Sequence, residues 1–300
     1  MSEKKEQRAC VIGFPISHSK SPKLHNYWVK QYGLEACYVA ESISPDELPT
    51  FLKAVLSGTS MYQGGNATIP HKEALLALAD GADETATILG AANTFWKVDG
   101  KLHVTNTDVY GFLGNLDEGA DGWDNCDFDQ GKKAIVLGAG GAARAVIFGL
   151  IQRGFKTIIL ANRTVSRADA LATHFSNVAN ANGCAIFPTA LSEAETLLSD
   201  ASLLVNTTSL GMVGQPELDF SIEGLPRHAV VTDIVYTPLQ TGLLLAAEAQ
   251  GLKTVDGLGM LLHQAVPGFE KWFGVRPEVT MELRKYILTN EDDTEKYTAN

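Results

Sequence analysis

The sequence has few of the features that mark specialised classes of protein. Only four cysteines occur in 300 residues, and none forms a Cys-x-x-Cys pair. This pattern excludes a disulfide framework, disfavours a zinc site and favours a reducing cytoplasm as the location. No uncharged apolar run reaches the roughly 18 residues of a membrane-spanning helix. We expect no secretory signal, because the stretch Met1–Arg8 is mostly polar or charged.

Positive charge is also scarce. Lys and Arg total 24 against 35 Asp and Glu, a formal net charge of −11. This balance argues against nucleic acid or an anionic membrane as a partner. An anionic ligand would need cations and backbone N–H groups gathered at one place. With 45% hydrophobic residues the chain is not disordered, and its length suggests about two domains.

Short apolar runs alternate with helical patterns along the chain. This alternation predicts an α/β fold with largely parallel sheets. An antiparallel edge is predicted where Ala92–Val98 and Lys101–Thr105 flank Asp99-Gly100, a two-residue hairpin signal. The polar segment at 119–131 is predicted to be a loop, and the polar tail after residue 289 has no assignable role.

Two helix starts are predicted from capping residues. Ser44 and Glu47 form a capping box that would open a helix at that point. Ser166 and Asp169 are the expected cap partners of a helix over Ser166–His174.

A glycine-rich turn follows the predicted buried strand Ala134–Leu137. The run Gly138-Ala139-Gly140-Gly141-Ala142-Ala143 fits Gly-x-Gly-x-x-Ala and opens a predicted helix. The first glycine permits the tight turn, the second lets backbone approach a pyrophosphate, and the last alanine allows close helix packing. The helix N-terminus then favours phosphate. The pattern predicts a dinucleotide site, and the alternative is a turn that only packs.

The residues after the next strand indicate which dinucleotide binds. An NAD site places Asp or Glu there to accept the ribose 2′-OH. Here the strand runs instead into Asn162, Arg163, Thr164 and Arg167. Guanidinium groups bind phosphate through paired donors, so the sequence predicts NADP. The alternative is that both arginines are solvated residues at a helix start.

Four polar segments outside that unit are candidates for a substrate site. A serine-rich run between Gly13 and Pro22 places hydroxyls beside a helix start, where they can hold a carboxylate. Lys72 lies just past the end of a predicted strand, Asn93 lies in the predicted strand that begins at Ala92, and Asp108 follows the hairpin. A lysine and an aspartate from separate strand ends can form a proton-transfer pair. The plainer alternatives are an exposed lysine at a helix start and an N-cap aspartate.

Together these segments resemble the shikimate dehydrogenase family, in collinear order over nearly the whole chain. The matching runs, each read from its first residue, are Gly-x-Pro-Ile-x-His-Ser-x-Ser-Pro-x-x-His-Asn from Gly13, Asn-x-Thr-Ile-Pro-x-Lys from Asn66, Gly-Ala-Ala-Asn-Thr from Gly90, Asn-Thr-Asp from Asn106, Gly-Ala-Gly-Gly-Ala from Gly138, Asn-Arg-Thr-x-x-Arg from Asn162, Asn-Thr-Thr-Ser-Leu-Gly-Met from Asn206, Asp-Ile-Val-Tyr-Thr-Pro-Leu from Asp233 and Asp-Gly-Leu-Gly-Met-Leu-Leu-His-Gln-Ala from Asp256. The departures at Ala92, Thr105 and Val109 remove no polar group. So many ordered matches are more specific than any single motif.

The resemblance implies an NADP-dependent oxidoreductase that reversibly reduces 3-dehydroshikimate to shikimate, a step of chorismate and aromatic amino acid biosynthesis. It implies Lys72 and Asp108 as the catalytic acid–base pair, and no metal. The substrate residues carried over by motif are Ser19, Ser21, Thr68, Lys72, Asn93, Asp108, Tyr236 and Gln264. The cofactor residues are Gly138, Ala139, Gly140, Gly141, Ala142, Asn162, Arg163, Thr164, Arg167, Ile234 and Gly259.

The resemblance also implies two α/β domains. A mixed, mostly parallel substrate domain would comprise residues 1–109 plus 258–300, and a Rossmann-type NADP-binding domain would comprise residues 110–257. Two other functions stay open. One is a quinate or quinate/shikimate dehydrogenase that uses NAD or both cofactors, and the other is a non-catalytic sensor that binds NADP or substrate. The chain is expected to be either a monomer or a homodimer.

Overall fold

A computed structural model describes residues 6–125 and 132–289 of the chain. The elements up to Thr107 are β1 (Gln7–Gly13), α1 (Ser21–Gln31), β2 (Ala36–Ser42), α2 (Leu48–Ser57), β3 (Tyr62–Ala67), α3 (Lys72–Ala77), β4 (Gly81–Ala82), α4 (Glu84–Leu89), β5 (Thr94–Val98) and β6 (Lys101–Thr105). Those that follow are α5 (Asp108–Gly119), β7 (Lys133–Leu137), α6 (Gly141–Gln152), β8 (Thr157–Asn162), α7 (Val165–Ala181), β9 (Ala185–Ala190), α8 (Leu191–Ala194), β10 (Leu203–Asn206), β11 (Val230–Asp233), α9 (Gly242–Ala249), β12 (Lys253–Val255), α10 (Leu258–Phe273) and α11 (Met281–Leu288).

The chain divides into two compact units. The first unit comprises the chain up to Thr107 and from Gln264 onward, and the second unit comprises Asp108–His263. Each unit contains one sheet. No helix in the described ranges has the length and apolar character needed to cross a membrane.

The sheet of the first unit is mixed. Its strand order is β2-β1-β3-β5-β6-β4, with β1 parallel to β2 and β3, and β5 antiparallel to both β3 and β6. The predicted hairpin is confirmed, because Val98 pairs with Lys101 and the turn residues Asp99 and Gly100 have φ of 50° and 75°. Those left-handed values are what a two-residue hairpin turn requires. The hairpin is not the sheet edge that we predicted, since the short β4 pairs with β6 beyond it.

The sheet of the second unit is parallel throughout, in the order β12-β11-β10-β7-β8-β9. Its central strands β7 and β10 are buried along nearly their whole length, as helices on both faces demand. Ile135, Leu204 and Val231 of neighbouring strands share one core with Leu244 of α9. The two sheets confirm the predicted α/β fold class.

The predicted capping box at Ser44 forms only in part. The Ser44 N–H donates to Glu47 Oε2 at 2.9 Å, as a capping box requires, but the Ser44 hydroxyl donates to the same oxygen at 2.7 Å and accepts no helix N–H, and α2 begins after it at Leu48. The predicted cap at Ser166 is wrong. Helix α7 begins one residue earlier than predicted, with Thr164 at its N-cap position, and it extends to Ala181. The Asn162 amide donates to the Thr164 carbonyl at 2.8 Å and turns the chain into the helix there. Of the predicted loop, residues 126–131 lie outside the described residues, as does the tail from 290.

An imidazole is buried among aromatic rings in the first unit. The His25 ring stacks on Tyr38 with centroids 4.0 Å apart, and Trp28, Phe269 and Trp272 lie within 5.9 Å. Within the described residues neither ring nitrogen makes a hydrogen bond of ordinary geometry. Burial lowers the pKa of His25 to about 3, and a polar contact with the side chain of Asn66 opposes this shift only in part. The ring is therefore neutral in the folded protein.

Candidate active site

In the first unit, the predicted substrate residues gather at one edge of the sheet. The parallel strands β1 and β3 both end there, at Gly13 and Ala67. The antiparallel β5 begins at the same edge, because Thr94 pairs with Asn66 of β3 and with Thr105 at the end of β6. The segments around these strand ends therefore leave the sheet side by side.

Ser19 and Ser21 lie at the start of α1 and are half-buried. The N–H of Ser21 donates to Ser19 Oγ at 3.3 Å, and Lys20 occupies the N-cap position without a capping bond from its side chain. Ser21 is therefore not an ordinary helix cap. The two serines border the first turn of an 11-residue helix, where a carboxylate is electrostatically favoured.

Thr68 and Lys72 follow β3. The Thr68 N–H donates to the Ile12 carbonyl at 2.9 Å, which ties this segment to β1. Lys72 is the first residue of α3 and is half-buried, and its carbonyl accepts the Ala92 N–H at 2.9 Å. A cation gains nothing from the dipole at a helix N-terminus, so the position argues against a purely stabilising role for this lysine.

Asn93 is buried at the point where β5 begins. Its Oδ1 accepts the Thr107 N–H at 2.9 Å, the Thr94 hydroxyl at 2.9 Å and lies 3.2 Å from the Thr107 hydroxyl. The Thr107 hydroxyl is also 3.4 Å from Gln264 Oε1. The structure thus links two predicted substrate amides, Asn93 and Gln264, through one threonine.

Two predicted substrate residues belong to the second unit. Asp108 is half-buried and is the first residue of α5. It is therefore not the N-cap residue that precedes this helix. Tyr236 follows β11, and burial raises the pKa of its phenol. The pairing of Lys72 with Asp108 stays a prediction, as does a role for Tyr236 beside the serines.

The glycine turn of the second unit has the conformation that its sequence predicts. Gly138 has φ of 104°, and a Cβ there would lie 2.8 Å from side-chain atoms of Thr207 and Thr208. No heavy atom lies within 4 Å of a Cβ placed on Gly140 or Gly141, so backbone borders open space there. Helix α6 starts at this point without a side-chain cap, which leaves its first turn suited to an anion.

The residues after β8 complete this region. The Ala139 N–H donates to Asn162 Oδ1 at 3.2 Å, which fixes the turn against the neighbouring strand end. Arg163, Thr164 and Arg167 are exposed, and within the described residues neither guanidinium is paired with a carboxylate. An open glycine cradle beside two arginines fits a dinucleotide that carries a 2′-phosphate.

Ile234 and Gly259 are predicted to approach the nicotinamide. A Cβ on Gly257 would lie 2.3 Å from the Ile234 carbonyl oxygen, and one on Gly259 would lie 1.8 Å from Asn115 Oδ1. A larger residue at 259 would therefore displace the Asn115 side chain inside the second unit. Contact of these residues with a cofactor stays a prediction.

Some structured polar residues were missed by the sequence reasoning. In the first unit this is Tyr38, and in the second unit it is Asp233, which accepts hydrogen bonds from Asn206, Val235 and Thr241 at 2.8–3.0 Å. The available signal was a polar residue inside or at the end of an otherwise apolar strand. No group of three His, Cys, Asp or Glu side chains in the described parts of the chain is arranged to hold a metal ion.

A parallel sheet with a glycine cradle, and a second sheet with amides and a lysine at one edge, define a dinucleotide-dependent α/β oxidoreductase. The chain is 50% identical over 284 residues to a protein named shikimate dehydrogenase (NADP(+)) from Rhizobium meliloti, with 95% of each chain covered. It belongs to the shikimate dehydrogenase family.

Family models agree with this assignment. They match the shikimate dehydrogenase substrate binding domain at residues 11–95, shikimate / quinate 5-dehydrogenase at 125–211 and the shikimate 5′-dehydrogenase C-terminal domain at 257–280. The resemblance inferred from motifs is thereby confirmed.

Solved structures are similar over nearly their whole length. Shikimate 5-dehydrogenase from Thermus thermophilus, in complex with NADP(H) and shikimate, has a TM-score of 0.78 and 36% identity over 94% of this chain and 98% of that one. Quinate dehydrogenase from Corynebacterium glutamicum, in complex with NAD, has a TM-score of 0.83 and 32% identity over 94% and 99%. These two similar proteins thus differ in the substrate and the cofactor that their names carry.

Proposed function

We propose that this protein catalyses the reversible reduction of 3-dehydroshikimate to shikimate with NADPH. The observation that carries the proposal is the group of buried amides and hydroxyls around Asn93, beside the strand end that bears Lys72. A cyclic acid with several hydroxyls needs such a set of directional partners. The first unit would hold this substrate, and the second unit would hold the cofactor.

The glycine turn and the two arginines would hold NADP(H). Backbone N–H groups near Gly140 and Gly141 would meet the pyrophosphate, and Arg163 and Arg167 would meet the 2′-phosphate. When bound, the cofactor supplies the hydride for the keto carbon of the substrate. The protein must supply the binding, the orientation and the proton.

Lys72 would manage that proton. In reduction its ammonium donates a proton to the keto oxygen of 3-dehydroshikimate, and in oxidation the neutral amine accepts it from the hydroxyl of shikimate. Asp108 would orient the amine and favour its charged form. Ser19, Ser21 and Tyr236 would bind the substrate carboxylate, while Thr68, Asn93 and Gln264 would bind ring oxygens.

Quinate and NAD define the alternative activity. A quinate dehydrogenase with NAD is among the similar structures, so the fold alone accommodates that reaction. The exposed guanidinium groups of Arg163 and Arg167 favour a cofactor with a 2′-phosphate over one without it.

One assay tests these proposals. The purified protein is given shikimate or quinate with NADP+ or NAD+, and the absorbance of the reduced nicotinamide is followed. We expect the highest kcat/KM for shikimate with NADP+. A higher kcat/KM for quinate with NAD+ would replace the proposed activity, and tight binding without turnover would identify a sensor.

We also infer a cytoplasmic location. Three cysteines in the described residues, Cys10, Cys37 and Cys184, are unpaired and buried. Burial raises the pKa of each thiol, which makes these side chains inert core residues of a kind that a reducing compartment preserves.

A size measurement in solution would decide between monomer and homodimer.

A further inference from the structure

A chain of hydrogen bonds between side chains crosses the first sheet behind the predicted substrate amides. The Tyr38 hydroxyl is 2.6 Å from Asn66 Oδ1, and Asn66 Nδ2 is 3.0 Å from Thr94 Oγ1. The Thr94 hydroxyl is 2.9 Å from Asn93 Oδ1. Tyr38 and Thr94 have no exposed surface, so water cannot replace a bond that is lost there.

The direction of the first links follows from the partners of Asn66. Its Nδ2 is 3.1 Å from the backbone carbonyl of Asn93, which only accepts, so this end of the amide must be the nitrogen. Its other end is then the oxygen, and the Tyr38 hydroxyl must donate to it. Burial holds the pKa of Tyr38 well above its usual range, so the phenol keeps this proton.

The same reasoning continues to Asn93. Because Asn66 Nδ2 donates to Thr94 Oγ1, the single hydroxyl proton of Thr94 is available to Asn93 Oδ1. The backbone N–H of Thr107, which only donates, also points to Asn93 Oδ1 at 2.9 Å. Two donors therefore fix the oxygen of this amide toward the sheet, and the Nδ2 end faces away from it.

Thr107 extends the chain by one more link. The Thr107 hydroxyl lies 3.2 Å from Asn93 Oδ1, 3.3 Å from the Thr94 hydroxyl and 3.4 Å from Gln264 Oε1, so it joins Gln264 to the same group of side chains.

We propose that Tyr38, Asn66 and Thr94 are positioning residues that hold the amide of Asn93 as a hydrogen-bond donor to a substrate oxygen atom. This inference rests on the proposed function, because it takes shikimate as the ligand of that amide. None of the three residues needs to touch the substrate. They act through the orientation of Asn93.

The test is the exchange Thr94→Val, which removes the hydroxyl and keeps the shape of the side chain. We expect KM for shikimate to rise about 3- to 10-fold while KM for NADP+ stays constant, the size expected for one hydrogen bond. Thr94→Ser, which restores the hydroxyl, should restore KM. Tyr38→Phe should raise the same KM by less, and it serves as the second variant if Thr94→Val does not fold.

A readout without substrate separates this inference from the proposed function. In protein labelled with 15N-asparagine, Thr94→Val should shift the side-chain NH2 signals of Asn66 and Asn93. If the unsubstituted protein does not turn over shikimate, the proposed function fails, and the role of these residues toward the substrate fails with it. The amide signals still show in that case whether the chain of hydrogen bonds exists.

Thr232→Val is the matched control, since it makes the same exchange at a buried strand position of the second unit. It should change neither KM for shikimate nor the two amide signals. An unchanged KM for shikimate in Thr94→Val, an equal rise in Thr232→Val, or no rescue by Thr94→Ser would overturn the proposal.

Discussion

The two units present proposed ligand-binding edges that are built from different parts of the chain. At the edge of the first sheet the chemistry lies in side chains, and the amides around Asn93 are fixed by several buried partners. At the edge of the second sheet it lies in backbone, since Gly140 and Gly141 border open space. A hydroxylated ring requires individual directional contacts, whereas a pyrophosphate requires only closely spaced N–H groups. The first edge should therefore be sensitive to loss of side chains, and the second to gain of them.

The largest effect is expected from Lys72→Ala in the first unit. Loss of general acid–base catalysis should lower kcat by about 10² to 10⁴ without a matching change in melting temperature. Steady-state kinetics with saturating shikimate and NADP+ measures this. Glu73→Ala, next to it on the same helix, is the control and should keep its kcat. A near-normal kcat in Lys72→Ala would remove this lysine from the mechanism.

Two arginines are proposed to bind the cofactor at the sheet edge of the second unit. Replacement of both Arg163 and Arg167 by alanine should raise KM for NADPH by about 10- to 100-fold, because charge-assisted hydrogen bonds to phosphate are lost. KM for NADH, which lacks that phosphate, should not change. Kinetics with the two cofactors in parallel provide the comparison. An equal rise for both cofactors would show that the arginines do not read the 2′-phosphate.

Two glycine exchanges in the turn separate an effect on folding stability from an effect on cofactor binding. Gly138→Ala should lower the free energy of unfolding by about 1–3 kcal/mol, because φ is 104° and Thr207 and Thr208 crowd the new Cβ. Gly140→Ala meets no protein atom, so stability should be kept while the affinity for NADP+ falls. Urea unfolding and titration with NADP+ measure the two effects. A Gly140→Ala variant with unchanged affinity would mean that no pyrophosphate approaches this backbone.

The smallest effect concerns the aromatic cluster of the first unit and its dependence on pH. The folded pKa of His25, about 3, lies below the value of 6.5 for the unfolded chain, so only the unfolded state takes up a proton as pH falls below 6.5. The contribution of His25 to the free energy of unfolding is fully present above that pH and is lost as the pH falls toward 3. The free energy of unfolding should therefore fall by about 2 kcal/mol between pH 7 and pH 5.

The variant His25→Phe keeps a ring in the stack and should remove this part of the acid sensitivity. Urea unfolding at pH 7 and pH 5 measures it for both proteins, and His263→Gln, at a position whose ring bonds to Glu118 outside the cluster, is the control. An equal loss of stability on acidification in His25→Phe and the unsubstituted protein would contradict the assignment.

Features that depend on backbone conformation were predictable from sequence, and those that depend on distant partners were not. The turn at Asp99-Gly100 and the conformation of Gly138 follow from residue types that accept left-handed φ. The Ser44–Glu47 pair satisfied a local capping pattern but closes a turn ahead of the helix. The links from Tyr38 to Asn66 and on to Thr94 join residues far apart in sequence, so only the strand pairing reveals them.

The orientation of the Asn93 amide has a consequence for how new specificity can arise. Its inner oxygen already receives the Thr107 N–H and the Thr94 hydroxyl, and both would suit a carboxylate oxygen equally well. Exchange of Asn93 for aspartate would keep these inner bonds and place an accepting oxygen where the amide nitrogen donates, at the cost of burying a charge. Residue 93 alone therefore sets whether this position donates or accepts, and the bonds behind it do not have to change with it.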